Sequence, residues 1–288
     1  MSEPKKNMEK CLYFRYDPML SFESAVGGLR ILVPAKNGYV NYNLLHSVNE
    51  ERNCDTWRLG KAYAFDDALV SSYELTPDGA EWDMALRLSG RADFIGGYAH
   101  GDERYDKMTL EIDGEITAAE SLVAWTPFSR MRITVTSAGY DPDDSETAVL
   151  MHWKEYLIEG TKVVLNQRVE WLGDYSLGSS YMAMMPPLKA LTDRVYTDAD
   201  PTPREAISHY GRTPGATRAV VYGEKTGFSF SMSVPRYPSL VGGNTFSLTD
   251  NSGRPYNKMY FVVCNGADVA KGDVWETTTE YAIDNETF

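Results

Sequence analysis

Apolar and polar residues alternate along most of this chain. In FSFSMSV, Phe228, Phe230, Met232 and Val234 fall in one phase and Ser229, Ser231 and Ser233 in the other, which is the period of a half-buried strand. RMRITVT repeats the pattern, setting Met131, Ile133 and Val135 against Arg132, Thr134 and Thr136. In KMTLEIDGEI the apolar phase runs through Met108, Leu110 and Ile112 to Asp113-Gly114, a dipeptide that tolerates the positive φ of a tight hairpin turn. The longest pattern, TAVLMHWKEYLIEGTKVVLNQRVEWLG, predicts two long strands separated at Glu159-Gly160. On the second of these, Val163, Leu165, Val169 and Trp171 share the apolar phase, while Val164, Asn166, Arg168 and Glu170 make a mostly polar face. KMYFVVC is a continuous apolar run, as expected of a central strand covered on both sides. DVWETTTEYAI alternates again through Trp275, Thr277, Thr279, Tyr281 and Ile283.

Helical signals are few. PREAISHYG, residues 203–211, has a Pro start and a terminal Gly and predicts one short helix. Residues 2–12 predict a second short helix or a loose end. The stretch TDADPTPRE, residues 197–205, reads as a long loop within one domain, since strands of similar texture flank it. Many short-spaced strands with almost no helix predict an all-β fold. Its expected form is a large antiparallel double-layer β-sandwich spanning 1–288, with one or two short helices.

Composition narrows the function classes. The 288 residues are 43% hydrophobic, ordinary for a globular protein, and no apolar run approaches the roughly 20 residues that span a bilayer. MSEPKKNMEKCLYF shows no signal-peptide core, so a cytoplasmic location is expected, with no membrane partner. Three cysteines, Cys11, Cys54 and Cys264, are too few and too far apart for a disulfide scaffold or zinc ribbon. A net charge of −13 opposes general nucleic-acid binding. No GxSxG, P-loop or Rossmann fingerprint is present, and no cofactor or metal is expected.

The chemistry-bearing residues concentrate in RADFIGGYAHGDERYDKM, residues 91–108. After Gly96-Gly97, which permit a sharp turn, come Tyr98, His100, Asp102, Glu103, Arg104 and Tyr105. Imidazole titrates near neutral pH, so His100 is a candidate general base. Tyr105 is a candidate acid, Tyr98 a second, and Arg91 and Arg104 are candidate carboxylate clamps because a planar guanidinium binds a carboxylate bidentately. Eliminative cleavage of a uronate polymer needs those three roles: clamp, base and acid. Hydrolysis would need two carboxylates held about 5–10 Å apart, and the adjacent Asp102 and Glu103 would point to opposite faces of a strand. His209, beside Tyr210 and Arg212 on the Pro-bounded loop, is a second candidate catalytic histidine, with Tyr98, Tyr210, Arg212 and Arg168 as further substrate contacts. His152, in phase with Leu150 and Lys154, reads as structural. The acidic DPDDSE, residues 141–146, reads as a solvated turn.

The hairpin KEYLIEGTKVVLNQRVEWLGD and the ending VVCNGADVAKGDVWETTTEYAI resemble the large β supersandwich domains of galactose-mutarotase-like proteins and of several polysaccharide lyases. The resemblance lies in strand rhythm over roughly residues 90–288. It implies a scaffold shared by sugar binders, epimerases and lyases and carries no catalytic residue across. The expected partner is an oligo- or polysaccharide. The sharpest expectation is a lyase cleaving a uronate-containing polysaccharide by β-elimination. Its alternatives are a non-catalytic carbohydrate-binding or structural module, such as a phage-tail component, and a sugar epimerase.

Overall fold

The computed structural model describes residues 10–20, 25–206, 209–238, 244–250 and 253–285. The alternating segments form β1 (Leu12–Asp17), β2 (Ala25–Pro34), β3 (Tyr39–Asn49), β4 (Cys54–Phe65) and β5 (Ser72–Glu74). An irregular crossing segment with one helical turn, Gly97–His100, leads to β6 (Glu103–Ile112), β7 (Glu115–Thr117), β8 (Thr126–Phe128), β9 (Arg130–Asp141), β10 (Asp144–Glu159) and β11 (Lys162–Trp171). Then follow β12 (Tyr175–Met185), β13 (Arg194–Thr197), β14 (Arg204–Glu205), β15 (His209–Pro214) and β16 (Arg218–Tyr222). The last four are β17 (Phe228–Arg236), β18 (Thr245–Asp250), β19 (Asn257–Val269) and β20 (Val274–Asn285).

Sixteen strands make one sheet, whose main path is β14-β13-β16-β17-β20-β11-β10-β9-β6-β4-β3-β2-β1-β8, and β12-β19-β18-β15 make a second. Pairings are antiparallel except between β4 and β6, which meet in parallel at Asp55 and Arg104. The large sheet folds back across that seam. Its two halves face each other, and the Ile283 amide on β20 donates to the Tyr42 hydroxyl on β3 at 3.0 Å. The expected all-β sandwich is therefore the observed one.

Burial follows the alternation. Met131, Ile133 and Val135 of β9, Phe228, Phe230, Met232 and Val234 of β17, and Tyr281 and Ile283 of β20 all enter the larger apolar cluster. A smaller cluster at the other end gathers Leu150, Val169, Trp171 and Trp275 with Leu177, Val263 and Cys264 of the second sheet. KMYFVVC lies in β19, between β12 and β18 and buried through Phe261–Cys264. Asp113 and Gly114 form the β6–β7 turn with φ of 51° and 91°. The β10–β11 turn falls one residue later than predicted, on Gly160-Thr161, because Glu159 pairs with Lys162.

One expectation is overturned. The described residues of 203–211 are not helical: Arg204–Glu205 pairs with β13, and His209–Pro214 pairs with β18. Unpaired strand edges on β13 and β18 recruit this segment, and its weak helix propensity gives way to the ladder. Residues 2–9 lie outside the described part, and Leu12 opens a strand. Among the described residues no helix is long and apolar enough to cross a membrane, and the three cysteines are free.

Between the two apolar clusters lies a layer of buried charge. On β10 the inward positions run Leu150, His152, Lys154, Tyr156, Ile158, so the two middle ones are polar. The Lys154 ammonium donates to the Thr56 hydroxyl at 3.1 Å and the Trp57 carbonyl at 2.8 Å, and lies 3.1 Å from the Glu103 carboxylate. Glu103 also accepts from the Ser137 hydroxyl at 2.7 Å and faces His152 Nδ1 at 2.9 Å. Burying ions costs several kcal/mol each unless they are paired and their remaining hydrogen bonds are filled, and here Lys154 has all three of its donors engaged.

Candidate functional site

The opposite, outward phase of the same strands builds an open depression. Strand register places Lys107, Thr136, Trp153, Arg168 and Glu276 in one row across β6, β9, β10, β11 and β20. The next row on that face is Thr109, Thr134, Glu155, Asn166 and Thr278. Most of these residues, with Arg236 from β17, line a depression of about 320 Å³. Side chains two apart share a face of a strand, so the polar phase yields two parallel polar rows with one large ring, Trp153, among them.

Those rows are tied together. The Arg168 guanidinium sits 4.6 Å over the Trp153 ring and pairs with Glu170 at 2.8 Å. Asn166 donates to Glu155 at 3.0 Å, and the Thr278 hydroxyl donates to the Asn166 oxygen at 2.8 Å. Arg132 lies 3.4 Å from Glu111 and 3.8 Å from Glu155, and Arg236 is bonded to Glu276. Side chains this interlinked are held in place before any ligand arrives, which lowers the ordering cost of binding. Chemically, the face offers one large π ring, with the Arg168 guanidinium already over one side of it, among hydrogen-bond donors and acceptors.

A second depression, about 440 Å³, holds His100 with Asp93, Asp102, Arg52 and Asp143. His100 Nδ1 meets Asp93 at 2.6 Å, its Nε2 lies 3.8 Å from the buried Glu81, and its ring packs 4.9 Å from Phe94. Burial first, then the charge of Asp93, pushes the Asp102 carboxyl up to about 6. Asp102 has a φ of 55°, so it does not continue β6 and its side chain is not simply opposed to that of Glu103.

The residues singled out in the sequence are dispersed. His100, Tyr105 and Arg168 line three different depressions. Tyr105 is half-buried, edge-on to His46 at 5.3 Å. Arg91 is closed on Asp141 through two 2.7 Å hydrogen bonds and reaches Asp143 at 3.1 Å. The Arg58 guanidinium stacks 5.5 Å over Tyr98, and Arg104 is exposed on β6. Arg212 is exposed on β15; the side chains of His209 and Tyr210 on that strand lie outside the described part. Arg168 alone of these stands in the Trp153 depression. Trp153, Glu155, Asn166, Arg236 and Glu276 went unmarked in the sequence, although Asn166 and Arg168 in one polar phase were the available signal.

No protein-family model and no curated protein matches this chain. A galactose mutarotase-like protein from Clostridium acetobutylicum superposes on 96% of this chain and 100% of its own, with a TM-score of 0.51 at 7% identity. The fold is galactose-mutarotase-like. The GH36 α-galactosidase AgaB of Geobacillus stearothermophilus aligns with 90% of this chain at a TM-score of 0.52 and 8% identity, and this chain spans 40% of that enzyme's length. Heparinase III aligns with 91% of this chain and 36% of its own, at 9% identity and a TM-score of 0.48. The mutarotase-like architecture takes in β1–β5 as well, beyond the segment whose rhythm suggested it. At such identities the likeness is one of fold, and any activity has to be argued from the site.

Proposed function

We propose that this protein binds a glycan on the outer face of β9, β10, β11 and β20, one sugar ring stacking on Trp153. The carrying observation is the single large aromatic ring in a polar, hydrogen-bonded depression; Arg168 covers one side of it, so the sugar would stack on the other. A pyranose presents apolar C–H groups on its flat side and hydroxyls at its rim. Trp153 matches the first, while Arg168, Glu155, Asn166 and Glu276 match the second. The mutarotase-like fold, found in proteins named for acting on sugars, supports the same reading. A glycan panel screened by calorimetry tests it. At least one glycan should bind, and Trp153→Ala should weaken that binding tenfold or more while the thermal melt stays put. Absence of binding across the panel, or binding indifferent to Trp153, sinks the reading.

A second reading places proton-transfer chemistry on a sugar, by elimination on a uronate or by epimerisation, at His100. It is favoured by the short His100–Asp93 contact beside Asp102, the constellation of a positioned base near a carboxyl that titrates close to neutrality. An elimination product carries a new double bond. Near-ultraviolet absorbance that rises with uronate polymers, and is lost in His100→Ala, would establish it, whereas a flat trace in the parent protein removes it.

A further inference from the structure

Resting on the glycan-binding reading, we infer that the Trp153 face takes an uncharged linear oligosaccharide lying across the strands, not a single sugar and not a uronate chain. Length comes first. The row from Lys107 to Glu276 crosses five strands without interruption; four inter-strand gaps make about 19 Å, several times the width of one pyranose. The row continues past the Trp153 depression into a neighbouring one of about 400 Å³ lined by Lys107, Thr109, Asp106 and Glu120. Both depressions open to the surface.

Charge decides the class. Arg168, Arg132 and Arg236 are each paired with a glutamate on the same face, and Lys162 at the neighbouring edge pairs with Glu280 at 2.7 Å. A carboxylate on the ligand would compete with those glutamates for the same guanidinium groups. Among the described residues Lys107 has no carboxylate within ion-pair distance, but Asp106 and Glu120 line its depression, and the whole chain carries a net charge of −13. An acidic polymer therefore meets excess negative charge at the Lys107 end and, among the described residues, no unpaired cation at the Glu276 end. Hydroxyls meet no such penalty: paired Arg–Glu units present fixed donors and acceptors side by side.

The test is calorimetric titration of the intact protein with glucan, mannan and galactan oligomers from monomer to hexamer, beside galacturonate and alginate oligomers of matched length. Affinity for one neutral series should climb about tenfold or more from monomer to tetramer and then level off. Lys107→Ala should remove most of that climb, and added salt should change little. Affinity independent of length, or a preference for the uronate series that fades steeply with salt, overturns the inference while leaving glycan binding intact. A protein that binds neither set has lost the underlying reading instead.

Discussion

Glu103 shows how much one side chain can be asked to do here. It is 1% exposed, and burial alone would favour its neutral form. The Lys154 ammonium and His152 outweigh burial and hold its carboxyl well below the usual carboxylate range. A folded-state pKa below the unfolded one contributes stability that is complete above about pH 4.5 and drains as pH falls toward the folded value. Glu103→Gln leaves Lys154 with Asp83, 3.6 Å away, as its one remaining carboxylate neighbour among the described residues and should cost about 3 kcal/mol, the low end for a broken buried pair, measured by urea unfolding at neutral pH; a loss under about 1 kcal/mol would refute the pairing. Asp102 has the opposite sign. Its folded pKa is raised to about 6, so stability declines as pH rises from the ordinary carboxylate range through that value. Asp102→Asn should raise the melting temperature well above pH 6 and leave it unchanged in acid; an equal shift at both pH values would dissociate the effect from titration. At this scale the sequence was half legible. Lys154 in the apolar phase of β10 announces a buried ion, but its partner stands on β6, two strands away across β9, and nothing in the linear pattern joins them.

At the scale of elements, local chemistry and ladder position divide the legible from the hidden. Asp113-Gly114 sits in its turn at positive φ with no atom within 4 Å of a Cβ added at Gly114, and the Asp113 carboxylate accepts from the amides of Ser129 and Arg130 at 3.0 and 2.8 Å. Gly114→Ala therefore meets backbone strain alone and should cost about 1 kcal/mol, read from a chemical denaturation midpoint. A cost of several kcal/mol would mean an unseen contact. Gly97→Ala contrasts with it: φ is 69° and the new Cβ would lie 2.3 Å from Glu81 Cγ, so backbone and packing penalties add. Residues 203–211 misled because a Pro start and Gly end are cues within a segment, while the pairings with β13 and β18 come from strands elsewhere in the chain. The outward polar phase of β11 was legible as a face. Trp153 comes beside it through the legible β10–β11 hairpin, but Glu276 and Arg236 depend on the order β17-β20-β11, which joins strands distant in the sequence and has no local signature.

Across the whole molecule, the two faces of one sheet serve opposite demands. Its outward rows are polar and solvent-facing, whereas its inward rows hold two apolar clusters with the Glu103–His152–Lys154 layer between them. A wholly apolar interior could slide one half of the sheet along the other at little cost, since apolar contacts are non-directional. A charged layer satisfied in only one alignment penalises every other, because a slipped register leaves an ion without its partner. This account separates stability from alignment. Each single change, Glu103→Leu, His152→Leu or Lys154→Met, leaves a buried group unsatisfied and should destabilise by several kcal/mol. The triple variant removes Glu103, His152 and Lys154 together and leaves Asp83 accepting from the Tyr156 hydroxyl, so its loss should fall well short of the three single losses added. Its unfolding should meanwhile become broader as alternative alignments gain population. Double- and triple-variant cycles in urea measure the first point, and the agreement of calorimetric with van't Hoff enthalpy measures the second. Additive losses would show three independent contacts. A triple variant that still unfolds in one sharp transition would show that the apolar clusters alone align the sandwich.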